Sequence, residues 1–291
     1  MTPARSALVL ELAQLRIRAR KKFTLAEQMF FTKRGLQQAS GYEIADYKAR
    51  RFVECTRVAD ICCSIGGDLL ALAKVAETVG VDNDPVTTLY ARRNAEVHDL
   101  QNASTAECDF EDFDLAGFDG IHIDPDRRAK GSTAGRTTHG DFFSPSLPSI
   151  FERLPESKFA AIKVAPATLA VDCLPEQFEL EWIGDRRECK QQMIWTGAAV
   201  RNPGAMTATR VEDGEAFCFQ TDAQSLNEPA TVANEIAGYL YEPHSTILAG
   251  QMTDAFANSC ELKRLASDIV YLTSESQVQH DMMRGLSLIH I

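Results

Sequence analysis

The sequence predicts an α/β protein built on a doubly wound, mostly parallel sheet, and three observations predict it. Short apolar runs alternate with helical patterns between residues 58 and 164, the rhythm of βαβ units. The first run leads into a turn of small residues with glycines, Asp60-Ile61-Cys62-Cys63-Ser64-Ile65-Gly66-Gly67-Asp68. Carboxylates then stand at the ends of later runs, at Asp82, Asp109 and Asp124.

Before the sheet, apolar residues recur at near-helical spacing from Ala7 to Phe23 (Leu8, Leu12, Leu15, Ile17), and Leu25 to Phe31 continues the tendency. Gly35 and Gly41 interrupt it, and a further helix is expected over Tyr42 to Phe52. This is an N-terminal helical extension, residues 1–57. Val58 to Cys63 then predicts a strand, and Leu69 to Val75 a helix. Thr78 to Val81 predicts a strand ending at Asp82, and Pro85 opens a helix to about His98, a favoured position for proline. Strands follow at Ser104–Cys108, Gly120–Ile123 and Ala160–Val164, with a helix over Leu147–Leu154 between the last two. After Pro166 the pattern is strand-rich, at Phe178–Ile183, Lys190–Thr196 and Ala216–Gln220. These strands are expected to complete the domain, residues 58–225, with an antiparallel edge. Asp222 to Pro229 reads as a turn-rich linker, and a small α+β unit is expected over residues 235–291.

The 291 residues, 45% hydrophobic and 24% charged, suit an ordinary globular protein with a real core. No apolar run has the roughly 20 residues of a membrane span, and the N-terminus lacks a secretory apolar segment, so a cytoplasmic address is expected. Eight cysteines show no C-x-x-C pair and no histidine at zinc-finger spacing; they read as reduced thiols, with no metal expected. The net charge of -11 argues against indiscriminate attraction to a nucleic acid backbone. It conceals an asymmetry. Residues 1–57 hold 12 basic against 5 acidic side chains, and the remainder 18 against 36. The basic segment is either a solvated helix or an arm that meets phosphates.

Strand, glycine-bearing turn and helix together offer backbone N–H groups to a ligand beyond the strand ends. Small residues at 62, 64, 66 and 67 allow close approach to that backbone. Val79-Gly80-Val81-Asp82 places a carboxylate, followed by Asn83, about 20 residues on, where the ribose of a nucleoside cofactor falls. The structural alternative, a cap for the helix at Pro85, suits Asp84 better. Cys108-Asp109-Phe110 adds an acid beside an aromatic ring, suited to an adenine. At the end of the fourth strand stands His122-Ile123-Asp124-Pro125-Asp126-Arg127-Arg128, where Asp124 and the Pro125 carbonyl can accept hydrogen bonds from an exocyclic amine. An Asp-Pro turn without chemistry is the plain alternative.

The succession D-x-x-C-S-x-G-G-D, Asp82, Asp109 and Asp124 resembles class I S-adenosylmethionine-dependent methyltransferases, whose fold is a Rossmann-like doubly wound sheet. Cys62 and Ser64 stand where D-x-G-x-G would place glycines. The trimethylguanosine synthase group is similar in its Cys at the position of Cys63 and its Gly-Gly at 66 and 67. The resemblance implies S-adenosyl-L-methionine as cofactor, held by Thr32, Asp60, Cys62, Ser64, Gly66, Asp68, Asp82, Asn83, Asp109 and Phe110. It implies a reaction centre at Asp124, Pro125, Asp126 and Arg127, related to the D-P-P-W and N-P-P-Y loops of amino-group methyltransferases. Asp126 replaces the second proline there and Arg127 the aromatic residue, although an arginine plane can also stack on a base. Phe31-Thr32 is expected either to close over the cofactor or merely to pack a helix. His122 is expected in the core. Lys130 to Asp141 is expected as a surface loop or a substrate lid.

The D-P-x-R-R form is similar to a bacterial methyltransferase family with a C-terminal THUMP-like domain. That resemblance extends through Met29-Phe30-Phe31-Thr32, Ser144-Pro145-Ser146-Leu147, Lys163-Val164-Ala165-Pro166, Glu179-Leu180-Glu181-Trp182 and Tyr241-Glu242-Pro243-His244. It implies RNA, tRNA or rRNA, as substrate. The ending Leu286 to Ile291 resembles a translated library adapter, so the second domain is expected to be incomplete. Two other functions stay open: methylation of a small molecule or protein side chain, and a non-catalytic RNA-binding protein whose pocket has decayed at Cys62 and Ser64.

Overall fold

The computed structural model of the chain describes residues 2–126, 143–155, 158–168 and 174–286. Arg127, Arg128 and the stretch from Lys130 to Asp141 lie outside the described residues, as does Cys173. The chain folds as two compact units, residues 1–163 with 197–199, and residues 164–196 with 200–291. The first unit's main stretch ends at Lys163, and the second begins at Val164.

The first unit opens with α1 (Pro3–Ala19), capped by the Thr2 hydroxyl, then α2 (Lys33–Gln38) and α3 (Tyr42–Ala49), which a single 3-10 turn extends to Phe52. The helix expected to continue over Leu25 to Phe31 does not form; that stretch is turn and irregular chain. Side chains take its backbone groups instead. Arg16 Nε donates to Met29 O at 2.8 Å, and Asn94 brackets Phe30, accepting from its N–H at 2.7 Å and donating to its carbonyl at 3.0 Å. Asn94 also donates to Ile65 O at 2.9 Å. One amide thus ties the segment before Thr32 to the cofactor-type turn. Leu15, Phe23, Met29 and Phe31 form a buried cluster with Ile65, Leu70 and Ala95.

The sheet of this unit comprises β1 (Arg57–Ile61), β2 (Glu77–Asp82), β3 (Ala103–Glu107), β4 (Gly120–Ile123) and β5 (Phe159–Val164). Between them lie α4 (Leu69–Leu72), α5 (Pro85–Val97) and α6 (Leu147–Arg153). The strands are parallel in the order β3-β2-β1-β4-β5. Val58, Ile121, Ile123 and Ile162 are fully buried in it. The order reverses between β1 and β4, and the crevice beyond their C-terminal ends is where such sheets take a ligand.

The second unit carries β6 (Phe178–Gly184), β7 (Cys189–Gly197), β8 (Met206–Glu212) and β9 (Glu215–Thr221), in the order β7-β6-β8-β9. β6 runs antiparallel to β7 and parallel to β8, and β8 and β9 form a hairpin. β8 was not expected from the sequence. Its hairpin turns at Asp213-Gly214, both with positive φ (52° and 81°), the geometry of a tight two-residue loop. A short α7 (Ala223–Leu226) occupies part of the expected linker. β10 (Tyr239–Pro243), α8 (Ser245–Ala249), α9 (Thr253–Ser259), β11 (Lys263–Arg264), β12 (Leu272–Ser274) and β13 (Met283–Leu286) follow. The four strands form an antiparallel sheet, β11-β12-β10-β13. Among the described residues no helix is long and apolar enough to cross a membrane.

Candidate cofactor and reaction cleft

A cleft of about 410 Å³ opens in the first unit at the β1/β4 reversal. Thr32, Cys62, Ser64, Asp82, Asn83, Asp109, Phe110, Asp124, Pro125 and Asp126 all line it. Somewhat larger hollows of about 520 and 570 Å³ lie in the second unit, lined by none of the residues expected at the cofactor or reaction site. Arg127 lies outside the described residues.

The floor is the turn after β1. Cys62 and Ser64, where the family pattern has glycine, adopt φ of 58° and 50°. This left-handed conformation costs a side-chain-bearing residue about 1–2 kcal/mol. The turn therefore keeps a glycine backbone while carrying a thiol and a hydroxyl. Burial pushes the Cys62 thiol well up, with Asp82 and Asp124 adding to the effect, so it remains protonated. Gly35, in α2, makes the neighbouring wall possible: a Cβ there would lie 2.5 Å from Ile65 Cγ2 and 2.9 Å from Thr32 Oγ1. Thr32 caps α2 by accepting from Gly35 N at 2.9 Å.

Asp82 is held at both oxygens. Oδ2 accepts from Ser64 N at 2.8 Å, and Oδ1 from Asp84 N at 3.0 Å and Thr87 Oγ1 at 3.1 Å. Oδ1 is thereby filled, and Oδ2 keeps one lone pair to offer toward the cleft. Asp84, as the sequence suggested, does the capping, accepting from Val86 N and Thr87 N at 2.8 and 3.1 Å. Asn83 donates to Asp109 Oδ1 at 2.6 Å. The Phe110 ring has the Arg153 guanidinium 4.5 Å from its centroid, and Arg153 also bonds the Phe110 carbonyl. At the far end Asp126 is bonded by Arg34 and by Gln38, the latter at 3.2 Å, which ties α2 to the Asp-Pro-Asp segment.

Three sequence-predicted contacts do not line the cleft. Gly66, with φ of 88°, turns the chain beneath α5, where its Cβ would meet Ala91 Cα at 3.3 Å. Asp60 and Asp68 are buried in a line of ionisable groups. Asp60 Oδ1 lies 2.7 Å from His122 Nδ1, and His122 Nε2 lies 3.4 Å from Lys48 Nζ. An ammonium at Lys48 has only hydrogens to give, so Nε2 accepts and Nδ1 carries the hydrogen to Asp60. Lys48 pairs with Asp68 Oδ1 at 2.6 Å, and Ser40 Oγ donates to Asp68 Oδ2 at 2.9 Å. Lys163 then lies 3.7 Å from Asp68 Oδ2 and 2.6 Å from Asp124 Oδ2. Burial alone would push Asp68 up, but Lys48 and Lys163 outweigh it and hold the carboxyl well below the usual range. Burial draws Lys48 down against the pull of Asp68, and pushes Asp60 up against His122.

Arg34, Gln38, Lys48 and Lys163 were not singled out as site residues. Lys163 carried a signal, as a lone cation near the end of an otherwise apolar strand, Phe-Ala-Ala-Ile-Lys-Val.

Strand order, reversal point and cleft define the fold as Rossmann-like and doubly wound. The crystal structure of a Porphyromonas gingivalis W83 protein, provisionally described as a methyltransferase, has the same fold: TM-score 0.80, 21% identity, covering 96% of this chain and 73% of that one. No family model matches the chain. Two curated Mycobacterium tuberculosis proteins, from strains CDC 1551 and H37Rv, are each named an uncharacterized S-adenosylmethionine-dependent methyltransferase. Both are 26% identical over 261 residues, 85% of this chain and 66% of theirs. The chain thus spans just under two thirds of the length of these relatives.

Proposed function

We propose that the chain is an S-adenosyl-L-methionine-dependent methyltransferase that methylates a base amino group in RNA. The observation that carries the reading is the one cleft at the β1/β4 reversal, which has the β1 turn, Asp82, Asp109 and Asp124 along its walls. The Mycobacterium relatives, by name, support the activity. The RNA substrate rests on the resemblance to the family with a THUMP-like domain, with residues 235–291 read as that domain.

The residues present fit the cofactor. The positive φ of Cys62 and Ser64 keeps the turn open to close approach. Asp82 is fixed in orientation with one lone pair of Oδ2 left for a ribose hydroxyl. Acidic walls suit a sulfonium cation, and the cofactor supplies an electrophilic methyl group there. The chain's own part is to aim the acceptor. Asp124 and the Pro125 carbonyl accept the N–H groups of an amine, whose lone pair then points along the line of transfer. Alignment and a preorganised carboxylate do most of the work, so no strong base is required.

A second reading, methylation of a small or protein-borne amine, is favoured by the cleft charge. Asp82, Asp84, Asp109, Glu111, Asp124 and Asp126 line it, while the lining cations Arg34 and Lys163 are each bonded to one of these carboxylates. Nucleoside mass spectrometry of RNA from cells with and without the gene separates the two. A methylated nucleoside missing only in the deletion strain supports RNA. Unchanged nucleosides, together with labelled methyl transfer that survives nuclease, support the second reading.

A further inference from the structure

The line of ionisable groups behind the cleft has an end that faces the chemistry. From the core outward it runs Asp60, His122, Lys48, Asp68, Lys163 and Asp124, each within 4 Å of the next. The first five are at least nine-tenths buried, and Asp124 at the open end is half-buried and lines the cleft. Lys163 is the only cation of the line that touches a cleft carboxylate within 4 Å, among the described residues. It donates to Asp124 Oδ2 at 2.6 Å and to Gln38 O at 3.3 Å.

We propose that Lys163 is a positioning residue: its ammonium, anchored from behind by Asp68, grips Asp124 by Oδ2 and leaves Oδ1 as the oxygen presented to the methyl acceptor. This rests on the methyltransferase reading above. The physical ground is that an aspartate at a strand end has two nearly equivalent oxygens, several χ1 rotamers and a broad χ2, so unaided it offers no fixed acceptor. A short charge-assisted bond from a buried partner removes that freedom. The anchor matters as much as the grip. A buried lysine is strongly desolvated and would tend to lose its charge. Asp68 lies 3.7 Å behind it and is itself held by Lys48 and by Ser40. The same lysine donates to the carbonyl of Gln38 at the end of α2, whose side chain bonds Asp126. One ammonium therefore sets both the acceptor carboxylate and the adjoining wall.

The test uses the full chain. In protein labelled with 15N-lysine, the Lys163 ammonium gives a slowly exchanging signal, assigned by its loss in Lys163→Arg, and Asp124→Asn shifts it. Lys163→Met binds S-adenosylmethionine within about threefold of the unsubstituted chain by calorimetry. It lowers kcat for transfer to RNA from the deletion strain by about 100-fold, with little change in KM, the scale of losing one preorganised group. Lys163→Arg, which keeps the charge, restores the rate to within about tenfold. A Lys163 signal indifferent to Asp124→Asn overturns the proposal, even if Lys163→Met does not fold. So does a folded Lys163→Met that transfers at the original rate. Failure of the unsubstituted chain to bind S-adenosylmethionine instead sinks the methyltransferase reading, and the lysine signal still decides whether Asp124 is gripped.

Discussion

Both units bury carboxylates, and among the described residues the donors that meet them differ. In the first, Asp60, Asp68 and Asp124 are met by His122, Lys48 and Lys163. In the second, Glu181 on β6 accepts from Trp195 Nε1 at 2.9 Å and from Thr209 Oγ1 at 2.6 Å, both neutral donors on neighbouring strands. Glu179 accepts from the backbone N–H groups of Arg201 and Asn202. The glutamates stitch strands and a turn within their own unit. The aspartates form a line that ends in a cleft. Burial of a charge is therefore a poor sign of function by itself, and the chemistry of the partner and the place where the line ends are better ones.

The contrast can be broken at several points. The largest effect is expected at the open end: Asp124→Ala should cut methyl transfer at least 100-fold while cofactor binding by calorimetry changes little. Retained transfer would remove Asp124 from the reaction centre. Next come the closed positions, where stability is affected. Lys48→Met leaves Asp68 short of its nearest cation and should cost about 3–5 kcal/mol in urea denaturation. Glu181→Gln, which keeps one acceptor among neutral donors, should cost about 1–3 kcal/mol. Equal losses in the two variants would erase the distinction drawn above.

The acid limb of stability sharpens the same contrast. Asp68 has its carboxyl held below the unfolded value, so it contributes stability that is present above about pH 4 and is lost as pH falls below that. Asp68→Asn should flatten the acid limb of a stability profile measured by urea denaturation at a series of pH values. The smallest effect concerns the thiols. Burial pushes Cys55 up to about 11 and Cys189 up to about 12, while Cys218 is exposed. Among the described cysteines, iodoacetamide at mildly alkaline pH should label Cys218 first, as peptide mapping would show.

The parallel strands and the carboxylates at their ends were legible because each is a local pattern: a short apolar run, a turn of small residues, an acid. Asp82, Asp109 and Asp124 needed only that strands β1 to β4 be found, since parallel strands bring their C-terminal ends to one edge. Asp60 and Asp68 sit at equally suggestive positions, but the sequence does not reveal that β1 pairs Asp60 with His122 across to β4, or that α3 brings Lys48 underneath. Those partners are 62 and 20 residues away along the chain. β8 escaped because Met-Thr-Ala-Thr-Arg-Val-Glu is only weakly apolar; the Asp213-Gly214 turn after it was the stronger signal. The helix expected over Leu25 to Phe31 failed for a reason no local pattern holds, since Asn94 claims the Phe30 backbone from 64 residues away.

The turn after β1 bears on how loops of this kind change over time. Cys62 and Ser64 show that its shape tolerates side chains wherever the fold can meet the modest cost of left-handed backbone. Handedness, not the glycine itself, is then what the turn requires. A lineage could exchange glycine for cysteine or serine there, and back again, while the floor beneath the ligand kept its form.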